Sequence, residues 1–504
     1  MTRPRERSVQ GLGFAAAAVA ALLLVGSAAL GPSAAQPALG PRSAGWRGVL
    51  PPYDLGLQPA SWVVTVMMDA GYVLGAVAVA LGLLAARRGA RVPRAALLVA
   101  VGFAVLATLV PPTGSGDHLN YAAYGRIEVQ GGDPYSVAPA QWDGGRDPVT
   151  SAVEDPWTWT PSVYGPAATQ LQALTSRFGG DDLRATVWGW QVLCLAAWLV
   201  VGALLLRAAR RQEPSGADRA AWVWLLNPLL LGLLLVGAHV DLLGTAFALA
   251  AVVLTARRPA LAGLALGLAI GTKITFVLVA PALLWALWRR HRRTGAPWWP
   301  PALAGVVGAV VPLVPLYLQA GGHALDQLVH ARRYVSLASP WRPVVDWLNG
   351  PFGHDQVRAV AAVVAPVVVV LVAALLVVAR RRSLAERPAA GGSHDDGVAT
   401  TRDAAVMSVL LATAYVLAAP YSLPWYDAVA WAPLGLVAAS VLDVVLLVRL
   451  VVVAVAYVPG RVLGMSHTVR DVTLGYRSDV APWLGWALLL AVGWLALRSS
   501  RRSS

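Results

Sequence analysis

The run Gly114-Ser-Gly-Asp117-His118-Leu-Asn120-Tyr121-Ala-Ala-Tyr124-Gly125-Arg126 gathers an acid, a carboxamide, two phenols and a guanidinium in a short length of chain. If a helix starts at Asp117, then Asn120, Tyr121 and Tyr124 fall on one face of it. A carboxylate beside a wall of tyrosines is suited to taking a proton from a sugar hydroxyl. The same Asp could instead be an N-cap, accepting from unpaired amides of the first turn, and the sequence leaves both roles open.

Further chemistry-bearing residues follow. Asp133, Tyr135, Trp142, Trp157, Trp159 and Tyr164, with Asp143, Asp147, Glu154 and Asp155 among them, suit two readings. They are either an aromatic belt at the membrane boundary or a platform on which sugar rings pack while acids bind their hydroxyls. His239 and Asp241 lie at a turn between apolar runs, where ionisable groups mark a site or cap the turn. Two residues apart, they hold a metal only with help from others, and no third ligand is near, so no metal is expected.

Lys273 is the single lysine among 40 lysines and arginines. At a break between apolar segments it suits a lipid phosphate or simply snorkels to a headgroup. Arg332, Arg333 and Arg342, with Tyr334, form a second anion-binding candidate or a solvated interfacial helix. Pro424, Trp425, Tyr426 and Asp427 are another turn, functional or merely interfacial.

The elements that position these groups are membrane helices. Of the 504 residues, 57% are hydrophobic and only 13% charged, which marks an all-α, polytopic integral membrane protein. Apolar runs from 11–30 to 481–497 predict about fourteen transmembrane helices at roughly 20 residues each. The count falls to twelve if one of the short pairs 259–272/274–289 and 426–441/443–458 is a half-length hairpin. Residues 1–30 read as a retained first helix or a signal peptide, with the length favouring the helix.

Arginine clusters at Arg3/5/7, Arg87/88/91/94, Arg207/210/211, Arg289/290/292/293 and Arg498/501/502 alternate with the apolar runs. Such clusters orient a chain with positive loops inside, so both termini are expected to be cytoplasmic. Polar segments 111–182 and 320–357 then lie outside, as helical loops carrying the chemistry, and 383–403 reads as a flexible cytoplasmic linker. The net charge of +14 is dispersed in those clusters and does not indicate nucleic acid. The one cysteine, Cys194, reads as a packing residue. No phosphate-cradling or dinucleotide motif stands at a strand-to-helix turn, so no cofactor is expected.

Taken in order, Asp117 with Tyr121-Ala-Ala-Tyr124-Gly125-Arg126, Gly132-Asp133-Pro134-Tyr135, Tyr164-Gly165-Pro166, Asn227-Pro228 with Gly237-Ala-His239-Val-Asp241, Gly271-Thr-Lys273 and Pro424-Trp425-Tyr426 resemble a known family. It is the GT-C glycosyltransferases, and within them the actinobacterial polyprenol-phosphate-mannose-dependent α-1,6-mannosyltransferases that build lipomannan cores. The resemblance covers about residues 110–430.

It implies an inverting mannosyl transfer in the cell membrane, on the extracytoplasmic side, from a polyprenyl-phosphate-sugar donor to a lipid-linked mannan acceptor. Asp117 would be the general base. Lys273, His239, Arg332 and Arg333 would face the donor phosphate. Asn120, Tyr121, Tyr124, Arg126, Asp133, Tyr135, Trp157, Trp159, Tyr164, Asp241, Trp425 and Tyr426 would bind sugar or acceptor. An arabinosyl or other hexosyl donor would use the same architecture. From another class, a lipid-linked sugar flippase would show more charges deep in its spans than Asp69, Asp443 and Arg449, and a member that only binds lipid-linked glycan is a third reading.

Overall fold

The computed structural model describes residues 4–380 and 396–501. Among these residues helices and turns form the whole fold, apart from an isolated bridge between Ser33 and Gln36. Eight helices are long and apolar enough to cross a bilayer: Ser8–Ala29, Ser61–Arg87, Leu183–Gln212, Gly216–Val236, Trp299–Ala320, His354–Ala379, Asp396–Ala418 and His467–Arg498. The helices Arg94–Ala107, Asp241–Leu254 and Pro259–Thr272 are apolar but have 14 residues each. At 1.5 Å per residue they reach about 21 Å, short of the roughly 30 Å hydrocarbon core.

The expected all-α membrane class is what the structure shows, but eight such helices stand where about fourteen were expected. The difference lies in apolar runs that fold as shorter helices, such as the 17-residue Val441–Tyr457, or that are interrupted. Lys273 adopts an extended conformation, φ −155° and ψ 128°, between Pro259–Thr272 and the 3₁₀ turn Ile274–Leu278. The apolar run 426–441 yields only the seven-residue helix Ala428–Leu434, which ends around Pro433. The segment 383–395 of the expected linker lies outside the described residues, and 396–403 form the first turns of the Asp396–Ala418 helix.

The short helices are placed by close backbone contact. A Cβ on Gly263 would fall on the carbonyl of Gly305, and one on Gly308 would fall on that of Ala260. Helices in lipid associate through such small-residue contacts because hydrophobic drive is absent there. Gly165 closes on the Gly271 carbonyl in the same way, and its amide donates to the Thr272 carbonyl at 3.0 Å. The Tyr164-Gly165-Pro166 turn is thereby docked beside Lys273.

The large polar loop is helical, as expected, with helices Asp117–Val129 and Pro166–Gly179 packed together and Gly125 against the Gln172 carbonyl. Arg461, far along the chain, ties this loop down. Its guanidinium pairs with both oxygens of Glu154 and donates to the carbonyls of Ser33 and Gln36. Two deep charges find partners: Asp443 pairs with Arg219 at 2.7 Å, and Arg449 pairs with Asp427. Asp69 differs, for its Oδ1 is buried with no hydrogen-bond partner. Cys194 is buried among apolar side chains, as read.

Candidate active site

Asp117 opens the Asp117–Val129 helix, yet it is not the cap. Gly116 holds that position, and the Asp117 amide donates to Ser115 Oγ at 3.2 Å. The Asp117 carboxylate is therefore free for other work. Its Oδ2 lies 3.5 Å from the hydroxyl of Tyr121, which donates to it, and 3.4 Å from Nδ1 of His239. The other ring nitrogen of His239 is 3.5 Å from Ser115 Oγ, so the imidazole bridges the two residues flanking Gly116. Contacts at these lengths are characteristic of catalytic groups without substrate, and they tighten when it binds.

His239 is aimed by its surroundings. It stacks on Trp425 with ring centroids 3.7 Å apart and planes 12° from parallel. The preceding residue, Ala238, has a φ of 51°, a left-handed conformation that costs a non-glycine residue roughly 1–2 kcal/mol. The Trp190 indole holds it there by donating to the Ala238 carbonyl at 2.7 Å. Strain of this kind persists only where neighbours over-determine it. Trp190→Phe should lower kcat about tenfold with donor KM unchanged, well inside the roughly hundredfold that an ångström of misplacement can cost. Steady-state kinetics beside a thermal unfolding curve would check this, and an unchanged kcat would leave Trp190 as packing alone.

His118, the residue after Asp117, points elsewhere. Complete burial pushes its imidazole down to about 3, so it carries no charge at neutral pH, and neither ring nitrogen has a partner.

Asp117 opens onto a cavity of about 470 Å³. Of the residues singled out in the sequence, Asn120, Tyr124, Trp157, Tyr164, Lys273, Arg332, Trp425 and Tyr426 line it. Lys273 Nζ sits between the Asp241 carboxylate, at 2.8 and 3.1 Å, and the ring of Tyr426, 3.3 Å from its centroid. A second side of the cavity is apolar: Ile274, Leu278, Ala362, Pro366 and Val369 belong to the turn after Lys273 and to the largely exposed His354–Ala379 helix, which is long and apolar enough to cross a bilayer.

Several expected site residues lie elsewhere. Tyr121, His239 and Asp241 stand behind the wall and act on Asp117 or Lys273 rather than facing the cavity. Arg126 pairs with Asp147 at 2.8 Å and with Asp181, bracing the loop on the side of its helix away from Asp117. The Asp133 carboxyl accepts from the Tyr135 amide and pairs with His323, both at 2.8 Å. Partial burial opposes ionisation of Asp133, but these hydrogen bonds hold its carboxyl below the usual range. Tyr135 is buried with its hydroxyl 2.6 Å from Thr169 Oγ1. Trp159 is 68% exposed, and Arg333 is also exposed; neither lines the cavity.

Tyr334, which the sequence groups with Arg332, Arg333 and Arg342 as an anion-binding candidate, also lines the cavity, and so do Tyr415 and Tyr421. Tyr334 packs edge-on against Trp157 and tilted against Tyr421, at centroid distances of 6.3 and 5.6 Å.

Residues 12–290, more than half of the chain, match the family described as Alpha-(1->6)-mannopyranosyltransferase, N-terminal domain. The chain belongs to this family. Among relatives, Alpha-(1->6)-mannopyranosyltransferase A of Mycobacterium tuberculosis is 31% identical over 185 residues, 36% of this chain and 34% of that one. Alpha-(1->6)-mannopyranosyltransferase A of Corynebacterium glutamicum is 26% identical over 175 residues, 34% of this chain and 35% of that one. The match spans about a third of the length of these family members. ArnT from Cupriavidus metallidurans, crystallised with undecaprenyl phosphate, superposes with a TM-score of 0.40 at 16% identity, over 80% of this chain and 77% of that one. A likeness that loose carries no argument about chemistry.

Proposed function

We propose that this protein is an inverting GT-C mannosyltransferase, moving mannose from polyprenyl-phosphate-mannose to a lipid-linked α-1,6-mannan on the extracytoplasmic side of the cell membrane, with both termini cytoplasmic. One observation carries the reading: a carboxylate, Asp117, and an ammonium, Lys273, open on the same cavity, and an apolar side of that cavity belongs to a helix long and apolar enough to cross a bilayer.

The chemistry follows from that arrangement. The acceptor hydroxyl attacks the anomeric carbon from the face opposite the phosphate, and its proton passes to Asp117. The bond from that carbon to the phosphate oxygen breaks, its electron pair staying with polyprenyl phosphate. Lys273 and Arg332 meet the charge that gathers on the phosphate. Aromatic rings of Trp157, Tyr164 and Tyr426 offer faces for the sugars, and the side at Ile274, Pro366 and Val369 suits a polyprenyl chain. Tyr121 and His239, the latter seated on Trp425, keep the carboxylate aimed.

The test is sugar transfer by purified protein in lipid, using radiolabelled polyprenyl-phosphate-mannose and a short α-1,6-mannoside, with arabinosyl and glucosyl donors in parallel. Product from the mannosyl donor alone supports the reading, and silence from all donors overturns it in favour of lipid flipping, measured by a scrambling assay. Lys273→Gln, which retains a hydrogen bond to Asp241, should raise donor KM about tenfold, the worth of one charge-assisted contact of about 1.5 kcal/mol. Unchanged donor dependence would return Lys273 to packing.

A further inference from the structure

Lys273 is not a free cation. Two of its three N–H donors are within reach of the Asp241 oxygens at 2.8 and 3.1 Å, and its remaining side lies over the Tyr426 ring. Asp241 is itself buried and is the first residue of the Asp241–Leu254 helix, where the helix dipole favours a negative charge. A lysine meant only to attract phosphate has no need of so close a counter-ion.

The turn that carries Asp241 also carries His239, two residues earlier, against Asp117. Between them the Val240 amide donates to the Tyr121 hydroxyl at 3.4 Å. One three-residue turn therefore holds both the group beside the base and the group beside the phosphate cation.

Accepting the proposed function, the charge on the phosphate changes during turnover. The donor is a phosphodiester with one negative charge. When the bond from the anomeric carbon breaks, the electron pair remains on the phosphate oxygen, and the product is a monoester carrying about −1.5 to −2 at neutral pH. A bare ammonium would hold that product more tightly than the donor. A carboxylate fixed to the same ammonium repels both, and repels the more highly charged product more.

We propose that Asp241 is a positioning residue that balances Lys273 so that the site accepts the singly charged donor and releases the more highly charged polyprenyl phosphate.

The experiment measures binding of two ligands to the full-length protein in nanodiscs at pH 7.5: polyprenyl phosphate, and its methyl ester, which has the donor's single charge. Wild type should bind the two within about threefold of each other, since the balanced pair gives the extra charge little to gain. In Asp241→Asn the monoester should tighten at least about fivefold more than the methyl ester, and product inhibition of turnover should deepen in step. Asp241→Glu, which keeps the charge, should restore the wild-type ratio.

If Asp241→Asn shifts both ligands equally, or neither, the proposal falls, and Asp241 only props Lys273. Should that variant fail to fold, the double variant Asp241→Asn/Lys273→Gln removes both charges. It should then bind both ligands more weakly than wild type, with Arg332 the cation left at the phosphate, and a preference for the monoester as strong as that expected of Asp241→Asn would overturn the idea. Wild type that binds neither ligand and transfers no sugar would instead sink the glycosyltransferase reading itself.

Discussion

Asp117→Asn should leave the protein folded and inserted while cutting sugar transfer by about 10²- to 10⁴-fold, the usual worth of a general base. The substitution preserves shape, and the Tyr121 hydroxyl can donate to an amide oxygen as it does to the carboxylate 3.5 Å away. The amide–hydroxyl contact at Ser115 uses only backbone of residue 117 and so survives. What is lost is the ability to accept the acceptor's proton. Because His239 lies 3.4 Å from the same oxygen, residual turnover in the variant should depend on the imidazole, and adding His239→Ala should remove most of it. Turnover on the mannosyl donor, paired with a melting curve, checks both. Near-normal transfer by Asp117→Asn would strip the residue of this role.

Arg449→Met should destabilise the protein by about 3–5 kcal/mol, the cost of leaving one member of a buried ion pair alone. Asp427 is fully buried and pairs with Arg449, which also donates to the Val416 carbonyl at 3.0 Å and to Ser422 Oγ at 2.7 Å. Replacing both charges, Arg449→Met with Asp427→Leu, should recover most of the loss, since apolar substitutes for a buried pair are often neutral or better. Thermal unfolding in detergent distinguishes the single from the double variant. A single variant as stable as wild type would mean that the pair does not hold the fold. Such a result would reopen the reading of deep charges as an ion path, the property expected of a transporter.

The sequence makes some of this architecture legible and conceals the rest for physical reasons. Hydropathy reports transfer from water to lipid, so the all-α membrane class was readable. It does not report every helix break: the one at Lys273 was legible as a gap between apolar runs, whereas the short helix at Pro433 was hidden inside the run 426–441. Asn120, Tyr121 and Tyr124 were grouped because helical periodicity fixes which side chains share a face, and of the three Asn120 and Tyr124 line the cavity.

Arg126, Asp133 and Tyr135 were assigned to the site through motifs of the family resemblance, and Trp159 as one of the loop's aromatic residues. Beyond Val129 the loop turns through left-handed residues such as Asp143, with a φ of 46°, and no periodicity then says where a side chain points. Trp190 was missed because an indole inside an apolar span looks like any other buried ring, and its hydrogen bond to the Ala238 carbonyl is a long-range fact. Arg461 was missed because its partners Glu154, Ser33 and Gln36 lie hundreds of residues upstream.

His239 rests on Trp425 and Lys273 on Tyr426, so each polar group from the first part of the chain is seated on an aromatic ring from the last. A chimera that exchanged only residues 12–290 between two relatives would inherit the carboxylate, imidazole and ammonium together, yet set them on foreign rings. Domain shuffling of that kind is therefore disfavoured: the adjacent residues Trp425 and Tyr426 bind the inheritance of the two parts into one.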